Sequence, residues 1–303
     1  MDNTDLIKKI LQLKKQRNAI ILAHNYQRGE VQDIADFAGD SLELSQKAAK
    51  TDADVIIFCG VHFMAETASI LSPDKTVLLP DSNAGCPMAD MITADMLRKI
   101  KSEHPGAGVV CYVNSSAEVK AESDVCCTSA NATKIVASFP ADQEIIFVPD
   151  QHLGKYAASQ SDRSVIPWNG YCPIHASIKP TDVENLKKKH PDARLVVHPE
   201  CPAEIIALAD AVDSTSGIIK FAGRDDIREV IVGTEMGIIH RLLKDNPQKK
   251  FIPISEGAVC PDMKLITLEK ILRSLEEMSP EVKVPEDIRI KAKAAVDRML
   301  EIS

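Results

Sequence analysis

The sequence predicts an α/β protein made of three related small α/β/α domains, each with a parallel sheet, and three observations support this fold class. Short apolar runs alternate with helical segments along the chain, a pattern typical of β/α/β units. Three Cys-Pro pairs, which begin at Cys86, Cys172 and Cys260, recur at nearly equal intervals. Each pair is followed by a threonine and then by a second dipeptide that ends in proline: His104-Pro105, His190-Pro191 and Ser279-Pro280. We therefore expect a threefold internal repeat with one thiol in each unit.

In the first unit, the predicted helices and strands alternate in the order that a parallel sheet requires. Thr4 is followed by a helical stretch over Leu6–Gln16. The elements predicted next are a strand at Ala19–Ala23, a helix at Val31–Phe37, a helix after Ser41, a strand at Val55–Cys59, a helix at Ala65–Leu71 and a strand at Thr76–Pro80. The strands are short, continuous apolar runs, which is typical of strands that are covered on both faces.

The second and third units follow the same order. In the second unit, the sequence predicts strands at Val109–Val113, Glu144–Val148 and Ser164–Pro167, with helices near Ala117–Glu122 and Ala130–Ser138. In the third unit, it predicts strands at Arg194–Val197, Glu229–Val232 and Lys250–Pro253, with helices at Ala203–Ala209, after Ser216 and at Ile238–Lys244. Each unit therefore has three predicted strands.

Threonines mark the expected starts of the helix that precedes each unit's first strand and of a fourth, C-terminal copy. These threonines are Thr4, Thr93, Thr181 and Thr267. A last helix is predicted at Asp287–Ile302. We expect the three domains to span residues 1–92, 93–180 and 181–266, with residues 267–303 packed against the first domain. Because no Pro/Gly-rich linker separates the units, we expect the domains to pack tightly against one another.

Composition and charge exclude several classes of function. The 303 residues are 45% hydrophobic and 26% charged, which is ordinary for a globular protein. A net charge of −8 argues against nucleic acid or an anionic membrane as a partner. The apolar runs are too short to span a bilayer, and the N-terminus lacks the pattern of a signal peptide. Eight cysteines in such a chain suggest thiols or metal ligands rather than disulfides, and we expect a cytoplasmic protein.

Polar residues follow the predicted strands at corresponding positions of the three units. The carboxyl ends of parallel strands meet at one edge of a sheet, where ligands bind and helix N-termini offer backbone N–H groups. After the first strands lie His24-Asn25-Tyr26, Asn114-Ser115-Ser116 and His198-Pro199-Glu200. The next helix starts contribute Ser41, Ser129 and Thr215, and the middle strands are followed by His62, His152 and Met236. If the units surround a pseudo-threefold axis, these side chains and the three thiols meet in one central cavity.

The Cys-Pro pairs are the strongest indication of chemistry in the chain. Proline is favoured in the first turn of a helix, so each cysteine is expected near an N-cap, where N–H groups and the helix dipole stabilise a thiolate. Three thiolates around one axis suit a soft metal centre and leave one coordination position open to substrate. The spacing does not separate zinc from an iron–sulfur cluster. One isolated Cys-Pro pair is more often a buried small side chain, but three in register favour the metal centre.

Several polar residues and cysteines have structural alternatives. A helix N-cap is the commonest role of residues placed like Ser41, Ser129 and Thr215. A structural role is as well supported as a functional one for His62, His152 and His175. Cys59 and Cys111 lie in apolar strands and are predicted to pack in the core.

Taken together, the motifs resemble those of the quinolinate synthase family. They are, in order, His24-Asn25-Tyr26, Gly39-Asp40-Ser41, Tyr112-x-Asn114, Thr128-Ser129-Ala130-Asn131, Trp168-x-Gly170-x-Cys172, His198-Pro199-Glu200-Cys201 and Cys260-Pro261-x-Met263-Lys264. The resemblance extends from about Leu22 to Leu272. It implies three α/β domains around a pseudo-threefold axis with the active site at the centre. It also implies one [4Fe–4S] cluster with one open iron, held by Cys86, Cys172 and Cys260.

The resemblance further implies a reaction and a set of partners. The family condenses iminoaspartate with dihydroxyacetone phosphate, releasing phosphate and two waters, to form quinolinate, a precursor of NAD. The expected partners are therefore these two small molecules, with functional coupling to an enzyme that produces iminoaspartate, and neither nucleic acid nor membrane. The expected catalytic residues are Glu200 as the base, with Tyr26, His24 and His198. The expected substrate-binding residues are His24, Ser41, Tyr112, Asn114, Ser129, His198, Glu200 and Thr215.

Two other functions remain open at this stage. The same three thiols in a zinc-dependent hydrolase would use Glu200 as the base. A non-catalytic iron–sulfur sensor would bind a phosphorylated metabolite without converting it. The metal content and colour of the protein distinguish these hypotheses, because an iron–sulfur protein is brown and a zinc protein is colourless.

Overall fold

Three four-stranded parallel sheets form the framework of the protein, whose computed structural model describes residues 3–303. The first sheet contains β1 (Ala19–His24), β2 (Phe37–Gly39), β3 (Val55–Cys59) and β4 (Thr76–Leu78). The second contains β5 (Gly108–Tyr112), β6 (Val125–Cys127), β7 (Ile145–Val148) and β8 (Val165–Pro167). The third contains β9 (Arg194–Val197), β10 (Ala211–Val212), β11 (Glu229–Gly233) and β12 (Lys250–Pro253). The α/β class with three homologous parallel units is therefore confirmed.

The three sheets share one strand order, in which the second strand of the unit lies at an edge beside the first. The orders are β2-β1-β3-β4, β6-β5-β7-β8 and β10-β9-β11-β12. The edge strands β2, β6 and β10 were not predicted. Each has only two or three residues, too few for a strand pattern to emerge. The helix predicted at Val31–Phe37 consequently ends at Ile34, and Phe37 instead pairs with Leu22 of β1.

Helices connect the strands within each unit. In the first unit they are α1 (Asn3–Gln16), α2 (Gly29–Ile34), α3 (Ser41–Lys50) and α4 (His62–Leu71). In the second they are α5 (Ala94–Glu103), α6 (Ala117–Ala121), α7 (Ala132–Ala137), α8 (Gln151–Ser161) and α9 (Pro173–Ala176). In the third they are α10 (Pro180–Lys189), α11 (Ala203–Ile206), α12 (Thr215–Ala222) and α13 (Ile238–Asp245), and the chain closes with α14 (Leu268–Glu277) and α15 (Glu286–Ile302).

Helices start within one residue of Thr93, Thr181 and Thr267, as predicted, but the three threonines do not all act as caps. The hydroxyls of Thr93 and Thr267 accept hydrogen bonds from backbone N–H groups and cap α5 and α14. Thr181 instead lies inside α10, whose N-cap residue is Lys179. Pro180 accounts for this shift, because its fixed φ suits the first helical position.

The central strands are buried on both faces, and this burial fixes the positions at which they end. Leu22, Ile57, Val110, Phe147 and Val196 have no exposed side-chain surface. Burying an aliphatic or aromatic side chain of this size contributes roughly 1.5–3 kcal/mol to folding. The residues at the carboxyl ends of these strands are therefore held by a rigid framework.

The two C-terminal helices pack against different parts of the molecule. α14 contacts α1 and β3 of the first unit, whereas α15 contacts α6 and β6 of the second unit as well as α4 of the first. Ala292 of α15 lies in one apolar cluster with Ile70 and Ala117. We retain residues 1–92, 93–180 and 181–266 as proposed domain limits, since each range contains one complete sheet. Within residues 3–303, no helix has the length and apolar character needed to cross a membrane.

Candidate functional site

One cavity of about 180 Å³ is lined by residues from the strand ends of all three units. All the predicted site residues line it: His24, Tyr26, Ser41, Cys86, Tyr112, Asn114, Ser129, Cys172, His198, Glu200, Thr215 and Cys260. These residues are brought together by the structure, and their roles stay predictions. His175 also lines the cavity, whereas His62, His152 and Met236 do not, so the expectation that these last three face the site is wrong.

The three cysteines have the same local surroundings. Each thiol accepts hydrogen bonds from the backbone N–H groups of the second and third residues after it, which are Met88 and Ala89, Ile174 and His175, and Asp262 and Met263. Cys172 is the N-cap residue of α9, while Cys86 and Cys260 precede short 3₁₀ turns. The three units therefore present their thiols to the cavity in equivalent ways.

The expectation that these N–H groups alone produce thiolates is not supported. Burial raises the pKa of Cys86 to about 12 and also raises the pKa values of Cys172 and Cys260. The turns that follow the cysteines have only three or four residues, too few to offset the loss of solvation. A bound metal cation would supply the missing positive charge, and its binding would then be coupled to the release of protons from the thiols.

The separation of the three thiols argues against a single zinc ion. Among residues 3–303, the only group of three whose ligand atoms all lie within 4.8 Å of one another is Cys172, His175 and Glu200. The thiols of Cys86, Cys172 and Cys260 do not form such a group. A zinc ion holds its sulfur ligands at about 2.3 Å, which requires closer thiols.

His24 and His198 have matching hydrogen bonds in the first and third units. The backbone N–H of Tyr26 donates to Nδ1 of His24 over 3.2 Å, and that of Glu200 donates to Nδ1 of His198 over 3.4 Å. A ring whose Nδ1 accepts carries its proton on Nε2, so we assign this tautomer to both. Burial lowers the pKa of each histidine to about 3. Each ring is therefore a neutral N–H donor at the cavity wall.

These two histidines lead to a prediction for the dependence of stability on pH. An unfolded histidine has a pKa of about 6.5. As the pH falls from about 6.5 towards 3, these two histidines therefore become protonated in the unfolded chain, whereas they stay neutral in the folded protein. We expect the free energy of unfolding of the metal-free protein to decrease by up to about 1.4 kcal/mol per pH unit for each histidine.

Urea unfolding at about pH 7 and about pH 5 measures this dependence. His198→Asn should reduce the loss of stability between the two pH values. His62→Asn changes an exposed histidine outside the cavity, and this variant should lose as much stability between the two pH values as the original protein does. An unchanged pH dependence in His198→Asn would show that the prediction is wrong.

Glu200 is a buried carboxylate with both oxygens engaged. Tyr112 donates its hydroxyl proton to Oε1 over 2.7 Å, and Nδ1 of His175 lies 2.8 Å from Oε2. Burial by itself raises the pKa of this carboxyl group, but the neighbouring histidines and the Tyr112 hydroxyl outweigh burial and hold the pKa below its ordinary value. Because His198 is neutral, we attribute the lowering mainly to the Tyr112 and His175 contacts. Glu200 is therefore ionised in the cavity.

Sequence reasoning missed the residues that follow β11. Glu235 accepts hydrogen bonds from the backbone N–H groups of Cys260, over 3.1 Å, and Gly237, over 2.6 Å. Lys264 pairs with the same carboxylate at 2.9 Å and also donates to the backbone carbonyl of Tyr26. Through these contacts, the Glu235–Lys264 ion pair connects Cys260 to Tyr26 of the first unit. The position of Glu235 just after β11 could have identified it. Because β11 ends at Gly233, Thr234 and Glu235, rather than Met236, directly follow the strand.

The helix starts at the cavity are capped by neighbours of the predicted residues. Asp40 caps α3 and Ser214 caps α12, so Ser41 and Thr215 are the first helical residues and not N-caps. The expectation that Ser129 starts a helix is wrong, because Ser129 lies in the turn before α7, whose N-cap residue is Asn131. Contacts between the first and third units join these starts: Ser214 donates to Asp40 over 3.2 Å, and Asn25 donates to the Thr215 hydroxyl over 3.0 Å. The two helix starts therefore form one connected wall of the cavity.

Comparison with known proteins gives close matches over nearly the full chain. Residues 8–301 match the family model described as quinolinate synthetase A protein. The quinolinate synthase of Dehalococcoides mccartyi (strain CBDB1) is 62% identical over 294 residues, which cover 97% of each chain. That of Geotalea uraniireducens (strain Rf4) is 59% identical over 294 residues, or 97% of this chain and 96% of the relative. Quinolinate synthase 1 of Methanosarcina acetivorans is 56% identical over 302 residues, or 100% and 99%.

Proposed function

We propose the function of this chain from its family: the chain belongs to the quinolinate synthetase A protein family. The proposed reaction is the condensation of iminoaspartate with dihydroxyacetone phosphate to quinolinate, with release of phosphate and two waters, in NAD biosynthesis. The observation that supports it best is that all twelve site residues predicted from the motifs line one cavity. The proposal places the enzyme in the cytoplasm and couples it to an enzyme that supplies iminoaspartate.

The proposed cofactor is one [4Fe–4S] cluster bound by Cys86, Cys172 and Cys260. When bound, it supplies a Lewis-acidic iron with an open coordination position for the substrate. The two backbone N–H groups at each thiol favour the deprotonated form that a metal requires. The Glu235–Lys264 ion pair supports the third ligand, since Glu235 accepts the backbone N–H of Cys260.

The cavity binds anionic substrates without a cationic side chain of its own. Among the described residues that line it, none is a lysine or an arginine, and nearby Lys264 is paired with Glu235. The N–H groups of His24 and His198 are neutral donors, so they can donate hydrogen bonds to carboxylate or phosphate oxygens. The remaining donors proposed for the substrate are the side chains of Ser41, Asn114, Ser129 and Thr215. Hydrogen bonds to charged oxygens are strong in such a buried setting.

Glu200 is the proposed proton acceptor for the dehydration steps. Its ionised carboxylate already accepts the Tyr112 hydroxyl proton, so Tyr112 can take a proton from substrate while passing its own to Glu200. Tyr26 lines the same cavity and is kept protonated, since burial and the charge of Glu200 raise its pKa. We assign Tyr26 the protonation and orientation of the phosphate-bearing substrate.

The two alternative functions are less well supported. A zinc-dependent hydrolase requires thiols that converge on a single ion, and among residues 3–303 the three cysteines do not form a compact group of metal ligands. An iron–sulfur sensor has no need for an ionised carboxylate in contact with a tyrosine and a histidine.

Anaerobic purification followed by an assay tests the proposed function directly. We expect brown protein that contains equal amounts of iron and sulfide and that forms quinolinate from iminoaspartate and dihydroxyacetone phosphate. Colourless protein that contains zinc would contradict the cofactor. Iron-loaded protein that forms no quinolinate from these two substrates would contradict the reaction.

Ser129→Ala is expected to weaken ligand binding while leaving the cluster in place. The hydroxyl of Ser129 lies at the cavity, where loss of a hydrogen bond to a charged oxygen costs roughly 1–3 kcal/mol. The dissociation constant of quinolinate, measured by calorimetry on iron-loaded protein, reports the change. Ser102→Ala, at an exposed serine of α5, is the matched control and should bind as the original protein does. Unchanged affinity in Ser129→Ala would remove this residue from the proposed site.

A further inference from the structure

The turn that carries Ser129 is closed by the side chain of Asn131. This turn lies between β6 and α7, and among its described residues 128–131 only Ser129 lines the cavity. Oδ1 of Asn131 accepts the backbone N–H of Thr128 over 2.7 Å and the Thr128 hydroxyl over 3.3 Å. The same hydroxyl accepts the backbone N–H of Ala130 over 3.3 Å. Asn131 therefore holds the backbone on both sides of Ser129 from outside the cavity.

The other end of the Asn131 amide contacts the last helix. Because the Thr128 N–H can only donate, the amide oxygen of Asn131 must face it, and the amide nitrogen then faces away from the turn. Nδ2 donates to the hydroxyl of Ser303 over 2.6 Å, and this hydroxyl donates to the carbonyl of Met299 in α15 over 2.6 Å. α15 also packs against β6, the strand that leads into the turn. Since Asn131 is buried, water competes little for these hydrogen bonds.

We propose that Asn131 is a positioning residue that holds the hydroxyl of Ser129 in the cavity by joining its turn to α15. This inference rests on the proposed function and deepens it, because Ser129 is one of the donors proposed for the anionic oxygens of the substrate. A serine in an unrestrained turn samples many orientations, and a ligand must then order it at a cost in affinity. The contacts of Asn131 supply this order before the ligand binds.

Quinolinate binding to iron-loaded protein, measured by calorimetry, tests the inference. Asn131→Ala should raise the dissociation constant by about fivefold or more, because binding must then order the turn. Ser303→Ala breaks only the contact with α15 and should raise it by a smaller factor. Asn246→Ala is the matched control. The Asn246 amide donates to the Leu242 carbonyl of its own unit, outside the cavity, so this variant should bind quinolinate as the original protein does.

A double variant distinguishes the positioning of Ser129 from a general loss of structure. If Asn131 acts through the Ser129 hydroxyl, Asn131→Ala should have no further effect on the dissociation constant once Ser129→Ala has removed that hydroxyl. A substitution that only loosens the protein would weaken binding by the same factor with and without the hydroxyl. Equal factors in the two backgrounds, or unchanged affinity in Asn131→Ala, would overturn the inference.

Hydrogen exchange in the metal-free protein, followed by NMR, tests the same contacts without a ligand. In Asn131→Ala, the backbone amides of Thr128 and Ala130 should exchange at least about tenfold faster, while those of β11 in the third unit keep their original rates. If the original protein neither binds nor forms quinolinate, the proposed function fails, and hydrogen exchange alone decides whether Asn131 holds the turn. Unchanged exchange at both amides would show that it does not.

Discussion

Cys172→Ala will remove the iron–sulfur chromophore and abolish the formation of quinolinate. The thiol of Cys172 borders the cavity and accepts two backbone N–H groups, as do those of Cys86 and Cys260. Without it, one iron of the proposed cluster would have no protein ligand. The loss of iron affinity should exceed the roughly 10–100-fold typical of residues that only support a metal ligand. Iron and sulfide analysis, with the visible absorption spectrum after anaerobic reconstitution, measures the effect.

Two other cysteines provide matched controls for this experiment. Cys59 is buried within β3, and the Cys201 thiol is buried and donates to the carbonyl of Gly233. Cys59→Ala and Cys201→Ala each remove one thiol, and both should keep full iron and sulfide. Cys86→Ala and Cys260→Ala should behave as Cys172→Ala does. Full iron and sulfide content in Cys172→Ala would refute the ligand assignment.

Glu200→Gln will lower turnover by at least about a hundredfold and leave the fold, the cluster and ligand binding in place. Glutamine preserves the shape of the side chain, and its amide oxygen can still accept the hydroxyl of Tyr112. It cannot take up a proton, so the proposed route from the substrate through Tyr112 loses its acceptor. Single-turnover assays, together with quinolinate binding and iron content, separate the chemical step from binding.

Two further variants locate the origin of the effect. Tyr112→Phe removes one donor to Glu200 but keeps the carboxylate, so we expect a smaller loss of turnover than in Glu200→Gln. Glu204→Gln changes an exposed glutamate of α11 and should have no effect. If Glu200→Gln forms quinolinate at the original rate, another group must be the base.

The local sequence pattern predicted much of the fold and much of the lining of the cavity. The apolar runs of β1, β5 and β9 are continuous and buried on both faces, so their positions were predicted to within one residue. The residues that follow these strands in the chain were then predicted to line the cavity. The edge strands and α8 were missed because a strand of two or three residues carries no period, and the mean hydropathy of α8 is close to neutral.

Contacts between residues that are far apart along the chain were not predicted from the sequence. The partner of the Tyr26 hydroxyl is Thr234, and the partner of Glu200 is His175, each from another unit. Strand-end patterns identify candidates within a unit, but they do not tell which of them meet across the cavity. His62 and His175 were therefore equally good candidates in the sequence, and packing of the units brought only His175 to the site.

By itself, the sequence determined the threefold repeat, the parallel α/β class and the three equivalent cysteines, because these depend on patterns that are local along the chain. Only the tertiary structure decided the protonation states. The pKa of a thiol or an imidazole depends on how much solvent the surrounding units exclude and on which charges they bring near. Burial keeps His24 and His198 neutral and raises the pKa of Cys86. The backbone N–H groups by themselves were expected to lower the thiol pKa, but the loss of solvation has the larger effect.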